Sequence, residues 1–344
     1  EANDDLARTK AAALGIPKSY GSVEALLKDK EVEVIHNCTP NHVHFEISKQ
    51  IMAAGKHVIS EKPLAMTTKE SAELVKLAKK SGVVNAIDFN YRYYPLVQEA
   101  RSMVASGKLG DVFHATGSYT QDWLYLATDW NWRLVPQFSG KSRAVADIGS
   151  HWCDCIQFIT GLKIKKVCAD FSTVHKNRMK PKKQVETYSG KMLQPSDYEA
   201  MPINTEDFAS VLFEFNNGAR GSFSVSQVFA GRKNRLFFEL AGSKSSVVWD
   251  QERPNEMWIG HRERPNELLM KDPSLLSPEA RPYAHYPGGH PEAYPDGLKN
   301  FLIRVYSHIA GKEKANFSTF KDGHDELAIC EAILLIGLAF PVWA

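Results

Sequence analysis

The chain has 344 residues, of which 43% are hydrophobic and 24% charged, so it can fill two ordinary cores, and disordered and collagen-like classes are excluded. The formal net charge of +2, from 42 basic and 40 acidic residues, gives no reason to expect a nucleic-acid or membrane partner. Five cysteines without a regular spacing indicate reduced thiols in a cytoplasmic protein rather than a disulfide framework.

The first 89 residues alternate helix and strand signals, which is typical of a parallel sheet covered by helices. Gly15, Gly55 and Gly82 mark predicted helix ends, and Thr67 with Glu70 has the spacing of a capping box. The predicted helices are 4–14, a short one capped by Ser22, 43–54 and a segment from the Thr67 cap to residue 80. The predicted strands are 32–38, 57–60 and 83–89.

After residue 90 the predicted strands are longer and follow one another directly, which indicates an α+β domain with a large, mostly antiparallel sheet. Asn216-Asn217-Gly218 is a hairpin turn signal between two of these strands. The basic stretch 176–183 lies among loop-forming residues and is interpreted as a solvated face rather than a binding patch, and the apolar run 332–344 is predicted to be a buried C-terminal helix. The predicted strands are 112–121, 165–174, 207–215, 219–229, 235–241, 245–250 and 256–260. The predicted helices are 95–105, 150–160, 291–309 and 324–339.

A parallel sheet of this kind usually opens with a strand, a Gly-rich turn and a helix, whose backbone N–H groups hold a dinucleotide pyrophosphate. The sequence contains no G-x-G-x-x-G, and residues 1–22 have the pattern of the helix that follows a second strand. We therefore expect that the N-terminal part of the sheet is incomplete and that this chain alone binds dinucleotides poorly.

Polar residues follow three successive predicted strands. Cys38-Thr39-Pro40-Asn41 with His44 comes after the first, Glu61-Lys62-Pro63 after the second and Asn90-Tyr91-Arg92 after the third. Taken singly, the first motif is readily explained as a helix cap and the lysine as a surface residue. Ligands bind at the carboxyl edge of open α/β sheets, so the recurrence favours a site, where the lysine can hydrogen-bond a substrate hydroxyl.

Asp147 and His151 are four residues apart, so they share a face if the segment is helical from about residue 148. The carboxylate can then orient the imidazole, which is a credible general base for an alcohol proton. A zinc site with Cys153 and Cys155 is the alternative. Residues two apart on a helix point to different faces and no C-x-x-C pair exists, so no metal is predicted.

An aromatic cluster lies between residues 123 and 133, where tryptophans and Tyr125 alternate with hydrogen-bonding side chains. Aromatic faces beside polar groups suit a polyhydroxylated substrate, and Trp123 and Asp129 are the expected contacts, although core packing explains any single aromatic residue equally well. A later loop, His285 to His290, contains two glycines and is a weaker candidate for closing over a ligand.

Taken together, these motifs resemble those of the Gfo/Idh/MocA oxidoreductases, the family of glucose–fructose oxidoreductase and inositol dehydrogenase, over essentially the whole chain. The resemblance implies an α/β Rossmann-like domain over residues 1–90, with a doubly wound parallel sheet that lacks its first two strands. It also implies a substrate-binding and oligomerisation α+β domain over 91–344, with a mostly antiparallel open sheet. The motifs that carry the resemblance are Cys38-Thr39-Pro40-Asn41 with His44, Glu61-Lys62-Pro63, Asn90 with Arg92, Trp132-Arg133, and Asp147-x-Gly149-x-His151 with Asp154.

The resemblance assigns a role to each group of site residues. The predicted catalytic residues are Lys62, Asp147 and His151. The predicted contacts of the cofactor, NAD or NADP, are Thr39, Pro40, Asn41, His44, Glu61, Asn90, Trp132 and Arg133. With the aromatic cluster and the glycine-containing loop, the predicted substrate contacts are Arg92, Trp123, Asp129, Asp154 and His290.

The function implied is hydride transfer between nicotinamide and a secondary alcohol carbon of a sugar, glycoside or cyclitol, by a homodimer or homotetramer. An NAD-dependent glycosidase that oxidises its sugar transiently and a non-catalytic relative remain alternatives. Two features depart from the family pattern: the Gly-rich turn is absent, and the usual Gly-rich run before the aspartate is here Ser139-Gly140-Lys141-Ser142-Arg143. The choice between NAD and NADP stays open, because the strand-2 residue that reads the ribose is not in this sequence.

Overall fold

The computed structural model describes residues 1, 3–183 and 193–337, which form two compact units. The first unit comprises 1–87 with 318–324, and the second comprises 88–317 with the described residues from 325 onward. The division falls close to the boundary predicted at residue 90. The return of 318–324 to the first unit was not predicted. It is held there by Ser318, whose hydroxyl donates to the Ile87 carbonyl at 2.6 Å.

The first unit contains a three-stranded parallel sheet in the order β1, β2, β3, as predicted. Local signals set its helix ends: Ser22 accepts a hydrogen bond from the Ala25 N–H, Thr67 and Glu70 form a capping box, and Gly82 is left-handed. The strands are β1 (Val34–Asn37), β2 (His57–Ser60) and β3 (Asn85–Ile87). The helices are α1 (Asp4–Leu14), α2 (Val23–Lys28), α3 (His44–Ala53) and α4 (Thr68–Ser81).

The second unit contains an eight-stranded sheet in the order β13-β12-β11-β10-β4-β9-β8-β5. All its strand pairs are antiparallel except the pair β4 and β9, so the prediction of a large, mostly antiparallel sheet is confirmed. The predicted hairpin turn at Asn216-Asn217-Gly218 joins β8 to β9. The strands are β4 (Val112–Thr120), β5 (Ile164–Ser172), β6 (Asn177–Pro181), β7 (Tyr198–Pro202), β8 (Phe208–Phe215), β9 (Arg220–Ser226), β10 (Arg235–Gly242), β11 (Ser246–Asp250), β12 (Glu256–Gly260) and β13 (Glu267–Met270). The helices are α5 (Pro95–Ala105), α6 (Pro136–Ser139), α7 (Ser150–Thr160), α8 (Tyr294–Ile309) and α9 (Phe320–Gly337).

The two faces of the eight-stranded sheet differ in burial. One face packs on α5 and α7, where Trp152 stacks on Phe223 at 4.5 Å and its indole N–H donates to the Phe237 carbonyl. The other face is open. A row of paired residues crosses it from β12 to β5, and each member is exposed or half-buried. The row is Trp258, Val248, Glu239, Thr116, Ser222, Leu212 and Cys168.

The basic stretch 176–183 is mostly exposed or half-buried, but it forms a strand rather than a loop and one of its basic residues is buried. Most of this stretch is strand β6, which pairs with β7, and Arg178 within it is fully buried. Its guanidinium donates to Asp207 at 2.8 Å and to the Leu126 carbonyl at 2.9 Å. A buried cation needs a paired anion, and this one lies 29 residues further along the chain, where a local pattern cannot reveal it.

The predicted C-terminal helix begins earlier than expected, at Phe320, and residues 338–344 of the apolar run lie outside the described residues. Within the part of the chain that the structure describes, no helix is long and apolar enough to cross a membrane.

Candidate active site

The loop after β1 is organised by Asn37, the last residue of that strand. Its side-chain amide donates to the His44 carbonyl at 3.1 Å and to Ser48 at 3.0 Å. Its amide oxygen accepts the Thr39 hydroxyl at 2.7 Å. The carbonyl of the same asparagine accepts the Glu61 N–H at 3.0 Å, which ties the loop after β2 to the loop after β1. Two of the predicted strand-end motifs therefore lie together at the carboxyl edge of the parallel sheet.

His44 bridges the same two loops. It is 1% exposed, with Nδ1 2.7 Å from the Pro63 carbonyl oxygen and Nε2 2.6 Å from the Thr39 carbonyl oxygen. Burial lowers the pKa of His44, and the two carbonyl contacts act in the opposite direction. Both ring nitrogens face carbonyls of its own loops. His44 therefore links the two loops that are predicted to hold the cofactor, and its own contact with the cofactor stays a prediction.

The loop after β1 borders a cavity of about 630 Å³ within the first unit. Thr39 and Pro40 line this cavity together with apolar residues of α1, α2 and β1. Its volume lies within the range of cofactor and ligand sites. Glu61 and Lys62 are half-buried in the neighbouring loop, where the Glu61 carboxylate accepts the Lys62 N–H at 3.2 Å. The cavity and these loops fit the predicted role of this edge in holding a dinucleotide.

Asp147 and His151 lie on a helical segment whose first turn is wider than an α-helix. Val145–Gly149 forms a single π-helical turn, closed by the Ser150 N–H donating to the Val145 carbonyl, and α7 follows directly. The prediction of an α-helix from about residue 148 is therefore modified, because the wider turn rotates Asp147 relative to an ideal four-residue spacing. Such single π-turns occur frequently at functional sites.

Glu206 caps the start of this segment. One oxygen of its carboxylate accepts the Ser142 hydroxyl at 2.7 Å and the N–H groups of Arg143 and Val145 at 2.8 and 3.0 Å. The side chain is 4% exposed. A carboxylate at a helix N-terminus satisfies otherwise unpaired N–H groups and interacts favourably with the helix dipole. Glu206 thus fixes where the helix that carries Asp147 and His151 begins.

His151 is 8% exposed and lies among aromatic rings. Its ring centroid is 5.1 Å from that of Tyr91 and 5.9 Å from that of Phe89, both edge to face, and 6.3 Å from that of Tyr119. The two tyrosine hydroxyls are 2.5 Å apart, and burial raises the pKa of both phenols, so they stay neutral. Edge-to-face contacts fix the plane of the imidazole.

Arg133 connects a predicted cofactor residue with a predicted catalytic one. Its Nε lies 3.4 Å from Asp147 Oδ1, and its guanidinium stacks on the Trp132 ring at 4.5 Å. The turn that carries both residues is capped by Asn131, whose side-chain oxygen accepts the Arg133 N–H at 3.0 Å. Trp132, Arg133 and Asp147 are therefore brought together in the second unit.

Arg92 and Asp154 pair with each other, and their contact with substrate stays a prediction. Arg92 donates through Nε at 2.8 Å and through a terminal nitrogen at 2.5 Å to the two oxygens of Asp154. The Asp154 side chain is 1% exposed and that of Arg92 is 11% exposed. A bidentate pair of this kind uses both carboxylate oxygens, so its role is to join α7 to the segment that contains Tyr91.

Asp129 closes the turn that contains it. It is 5% exposed, and its carboxylate accepts the Leu126 N–H at 2.7 Å across the turn 126–129. A short carboxylate side chain readily bonds to its own turn in this way, and the predicted contact of Asp129 with substrate stays a prediction.

Trp123 lies at one end of a chain of side-chain hydrogen bonds that reaches the rings around His151. Its indole N–H donates to Gln121 at 2.8 Å, and the Gln121 amide donates to Asn234 at 2.7 Å. Asn234 also accepts the Tyr119 hydroxyl at 2.7 Å and donates to the Tyr91 hydroxyl at 3.0 Å. Trp123 is half-buried against a small apolar cluster, so its ring is held in place.

His290 is exposed, and buried side chains fix the loop that carries it. The buried Lys271 ammonium donates to the carbonyls of Tyr286 and His290 at 3.0 and 2.8 Å and pairs with Glu292 at 2.7 Å. The His285 ring contacts Asn300 at 2.5 Å. These contacts anchor the backbone of the loop, and its closure over a ligand stays a prediction.

Asn90 is 3% exposed, and its side-chain nitrogen has no hydrogen-bond partner among the residues that the structure describes. A buried amide N–H without a partner is costly, and a bound ligand can supply the missing acceptor. This arrangement fits the predicted cofactor contact.

The sulfur atoms of Cys153 and Cys155 are fully buried, and burial raises the pKa of both thiols well above the ordinary value. All five cysteines are free. Among residues 1, 3–183 and 193–337, no group of His, Cys, Asp and Glu side chains is arranged to hold a metal ion.

The structure places the predicted residues in two sets. Thr39, Pro40, Asn41, Glu61 and Lys62 lie at the carboxyl edge of the first unit's sheet. Asn90, Trp132, Arg133, Asp147 and His151 lie in the second unit. Sequence reasoning missed the residues that hold these two sets, namely Asn37 in the first unit and Thr205, Glu206, Asp207 and Gln227 in the second. The hairpin turn at 216–218 was a usable signal for two of them, because it places Asp207 opposite Gln227 at one end of β8 and β9.

Comparison with known proteins agrees with this architecture. Residues 2–89 match the family model described as "Oxidoreductase family, NAD-binding Rossmann fold", and residues 97–248 match the Gfo/Idh/MocA C-terminal domain. The levoglucosan dehydrogenase of Pseudarthrobacter phenanthrenivorans is 31% identical over 266 residues, which is 75% of this chain and 66% of that protein, just under two thirds of its length.

Solved structures agree as well. An oxidoreductase domain protein from Kribbella flavida superposes with a TM-score of 0.88 at 29% identity, over 98% of this chain and 87% of that one. A levoglucosan dehydrogenase in complex with NADH and levoglucosan superposes with a TM-score of 0.86 at 27% identity, over 98% of this chain and 86% of that one. Since the two family matches fall in both units and together cover more than half of the chain, the chain belongs to the Gfo/Idh/MocA family of oxidoreductases.

Proposed function

We propose that the protein is an NAD(P)-dependent dehydrogenase that oxidises a secondary alcohol carbon of a sugar, glycoside or cyclitol. The observation that carries the proposal is the contact between Arg133 and Asp147 at the wide turn that leads to His151. This contact joins a predicted cofactor residue to the predicted catalytic segment. The similarity to levoglucosan dehydrogenase supports a carbohydrate as the substrate class.

The reaction converts an alcohol and the oxidised cofactor into a ketone, the reduced cofactor and a proton. Bound nicotinamide would supply the hydride acceptor. His151 would take the hydroxyl proton at a ring nitrogen while the carbinol C–H bond breaks. Lys62 would donate a hydrogen bond to the same oxygen and stabilise the charge that develops there, and Asp147 would orient the imidazole.

The residues proposed to hold the cofactor fit a dinucleotide. Thr39 and Pro40 border the cavity beside β1, and the buried Asn90 amide offers a donor to a ligand acceptor. The half-buried ring of Trp123 suits the apolar C–H face of a sugar or cyclitol ring, because such rings pack on aromatic side chains while their hydroxyls find polar partners.

A substrate panel tests the proposal. The protein is incubated with cyclitols, aldoses, anhydrosugars and glycosides, each with NAD and with NADP, and nicotinamide absorbance and products are followed. We expect net cofactor reduction with at least one polyol, together with a stoichiometric ketone or lactone. Release of an aglycone without net reduction would instead identify a glycosidase, and no reaction with any member would contradict the proposal.

We also propose that the protein forms a homodimer or homotetramer through the open face of the eight-stranded sheet. Leu212 and Leu268 on this face are 62% and 57% exposed, and such apolar area on a soluble sheet usually marks an interface. Light scattering should give a multiple of the 38.5 kDa chain mass, and Leu268→Asp should reduce it. An unchanged mass in Leu268→Asp, or a monomeric wild type, would argue against this interface.

Free cysteines support a cytoplasmic location, which cell fractionation can check.

A further inference from the structure

Asp147 is held by a buried amide as well as by Arg133. Gln227, which is 0% exposed, donates from Nε2 to Asp147 Oδ2 at 2.8 Å. Its backbone N–H donates to the Asp207 carbonyl at 3.0 Å, so the residue is anchored at the end of β9 beside the start of β8. The two residues are 80 positions apart in the chain. One side chain therefore connects the predicted catalytic segment to the sheet beneath it.

The orientation of the Gln227 amide is fixed by chemistry. Arg143 NH1 lies 2.9 Å from Gln227 Oε1, and a guanidinium can only donate. The oxygen of the amide must therefore face Arg143, and the N–H₂ group must face Asp147. Arg143 is itself fully buried and fixed, because it pairs with Asp207 and donates through Nε to Thr205 at 3.2 Å.

We propose that Gln227 is the positioning residue for Asp147, holding its carboxylate at the angle that turnover requires through a hydrogen bond whose direction Arg143 sets. This inference rests on the proposed function, since it assigns a supporting role within the same site. A hydrogen bond to a charged group contributes more than a hydrogen bond between neutral groups. A catalytic side chain that a second residue fixes in place keeps its geometry while charge develops during the reaction.

Gln227→Glu tests the direction of this bond with little change in shape. The new carboxylate still accepts from Arg143 but meets Asp147 with an acceptor instead of a donor. We expect kcat at neutral pH to fall about 10- to 100-fold, the scale of a charge-assisted hydrogen bond, with a smaller change in KM. As the pH falls, the carboxyl group at position 227 gains a proton and can donate again, so the ratio of variant to wild-type kcat should rise.

Gln157→Glu is the matched control. Gln157 is also a buried glutamine in the second unit whose amide donates to a carboxylate, that of Glu326 at 2.5 Å, and whose oxygen accepts the Ile164 N–H. We expect this variant to lose stability without the rise in relative kcat at low pH. If both variants show the same flat pH dependence, Gln227 is only a structural residue and the proposal is overturned.

A stability measurement tests the contact independently of turnover. In the double variant Asp147→Asn with Gln227→Glu, the bond is restored with reversed polarity, so Tm should recover relative to Gln227→Glu alone. If the Tm changes of the two single variants simply add up in the double variant, a direct bond is contradicted. A wild type that oxidises no polyol would refute the proposed function, but the Tm values would still test the bond. An active wild type that loses activity in Asp147→Asn and keeps it in Gln227→Glu would refute the inference alone.

Discussion

Replacing His151 with alanine should lower kcat at least about a hundredfold with the polyol that the panel identifies, which is the usual scale of positioned acid–base catalysis. The imidazole is the group proposed to take the hydroxyl proton, and the edge-to-face contacts with Tyr91 and Phe89 fix the plane of its ring. Lys62→Ala should have an effect of the same order, because it removes the hydrogen bond to the reacting oxygen.

Two comparisons make this result specific. Added imidazole should restore part of the activity of His151→Ala, since a small base can enter the space left by the ring, and it should not help Lys62→Ala. His324→Ala, which removes a half-buried histidine bonded to Ser71 at 2.8 Å, should leave kcat unchanged. Rates near those of the wild type in both His151→Ala and Lys62→Ala would exclude the catalytic assignment.

Asp207→Asn should lower the free energy of unfolding by about 3–5 kcal/mol, the usual cost of removing one partner from a buried ion pair. Asp207 is the shared counter-ion of Arg143 and Arg178, and all three side chains are 0% exposed. The variant leaves two buried guanidinium groups with a neutral partner. Chemical denaturation followed by fluorescence measures the effect, with Asp5→Asn as the control because the Asp5–Arg8 pair is exposed.

The effect should depend on pH in a defined direction. Burial raises the pKa of Asp207, but the Arg143 and Arg178 charges and hydrogen bonds outweigh this and hold it below the ordinary value. A carboxyl group whose pKa is lowered in the folded state stabilises the fold fully at pH values above its pKa in the unfolded chain, which is about 4. This contribution is lost as the pH falls below that pKa. The stability difference between wild type and Asp207→Asn should therefore shrink below that pH, and a constant difference would contradict the ion-pair account.

Most of the elements could be predicted from the sequence because their signals are local. Helices α1 and α4 end at glycines with left-handed backbone, and the capping box of Thr67 and Glu70 formed as predicted. The hairpin between β8 and β9 follows from Asn216-Asn217-Gly218, where Gly218 has a φ of 90°. In each case neighbouring residues decide the conformation.

The features that the sequence does not reveal depend on distant partners. Nothing near Arg178 in the sequence distinguishes a buried arginine on strand β6 from a solvated one, because its counter-ion comes from the start of β8. Asp154 belongs to the family motif and is predicted to contact substrate, but its ion pair with Arg92, 62 positions away, has no local signal. Sequence spacing identified chemically active groups and could not say which of them neutralise one another.

The sequence predicts which residues form the candidate site, but it predicts their geometry less well. His151 and Asp147 follow from a spacing, while the π-helical turn between them depends on the Glu206 cap and the Gln227 contact, both made by residues more than 60 positions away. Those contacts determine the direction of the Asp147 carboxylate. The four-residue spacing by itself predicts an ordinary α-helix at this position.

Transfer of a carbon-bound deuterium tests the central claim most directly. The polyol that the panel identifies is labelled at the carbon that becomes the ketone, and the reduced cofactor is analysed by mass spectrometry. Hydride transfer predicts one deuterium in the reduced nicotinamide for each ketone formed, in the wild type and, more slowly, in His151→Ala. Reduced cofactor without the label, or ketone formation without cofactor reduction, would contradict the proposed dehydrogenase.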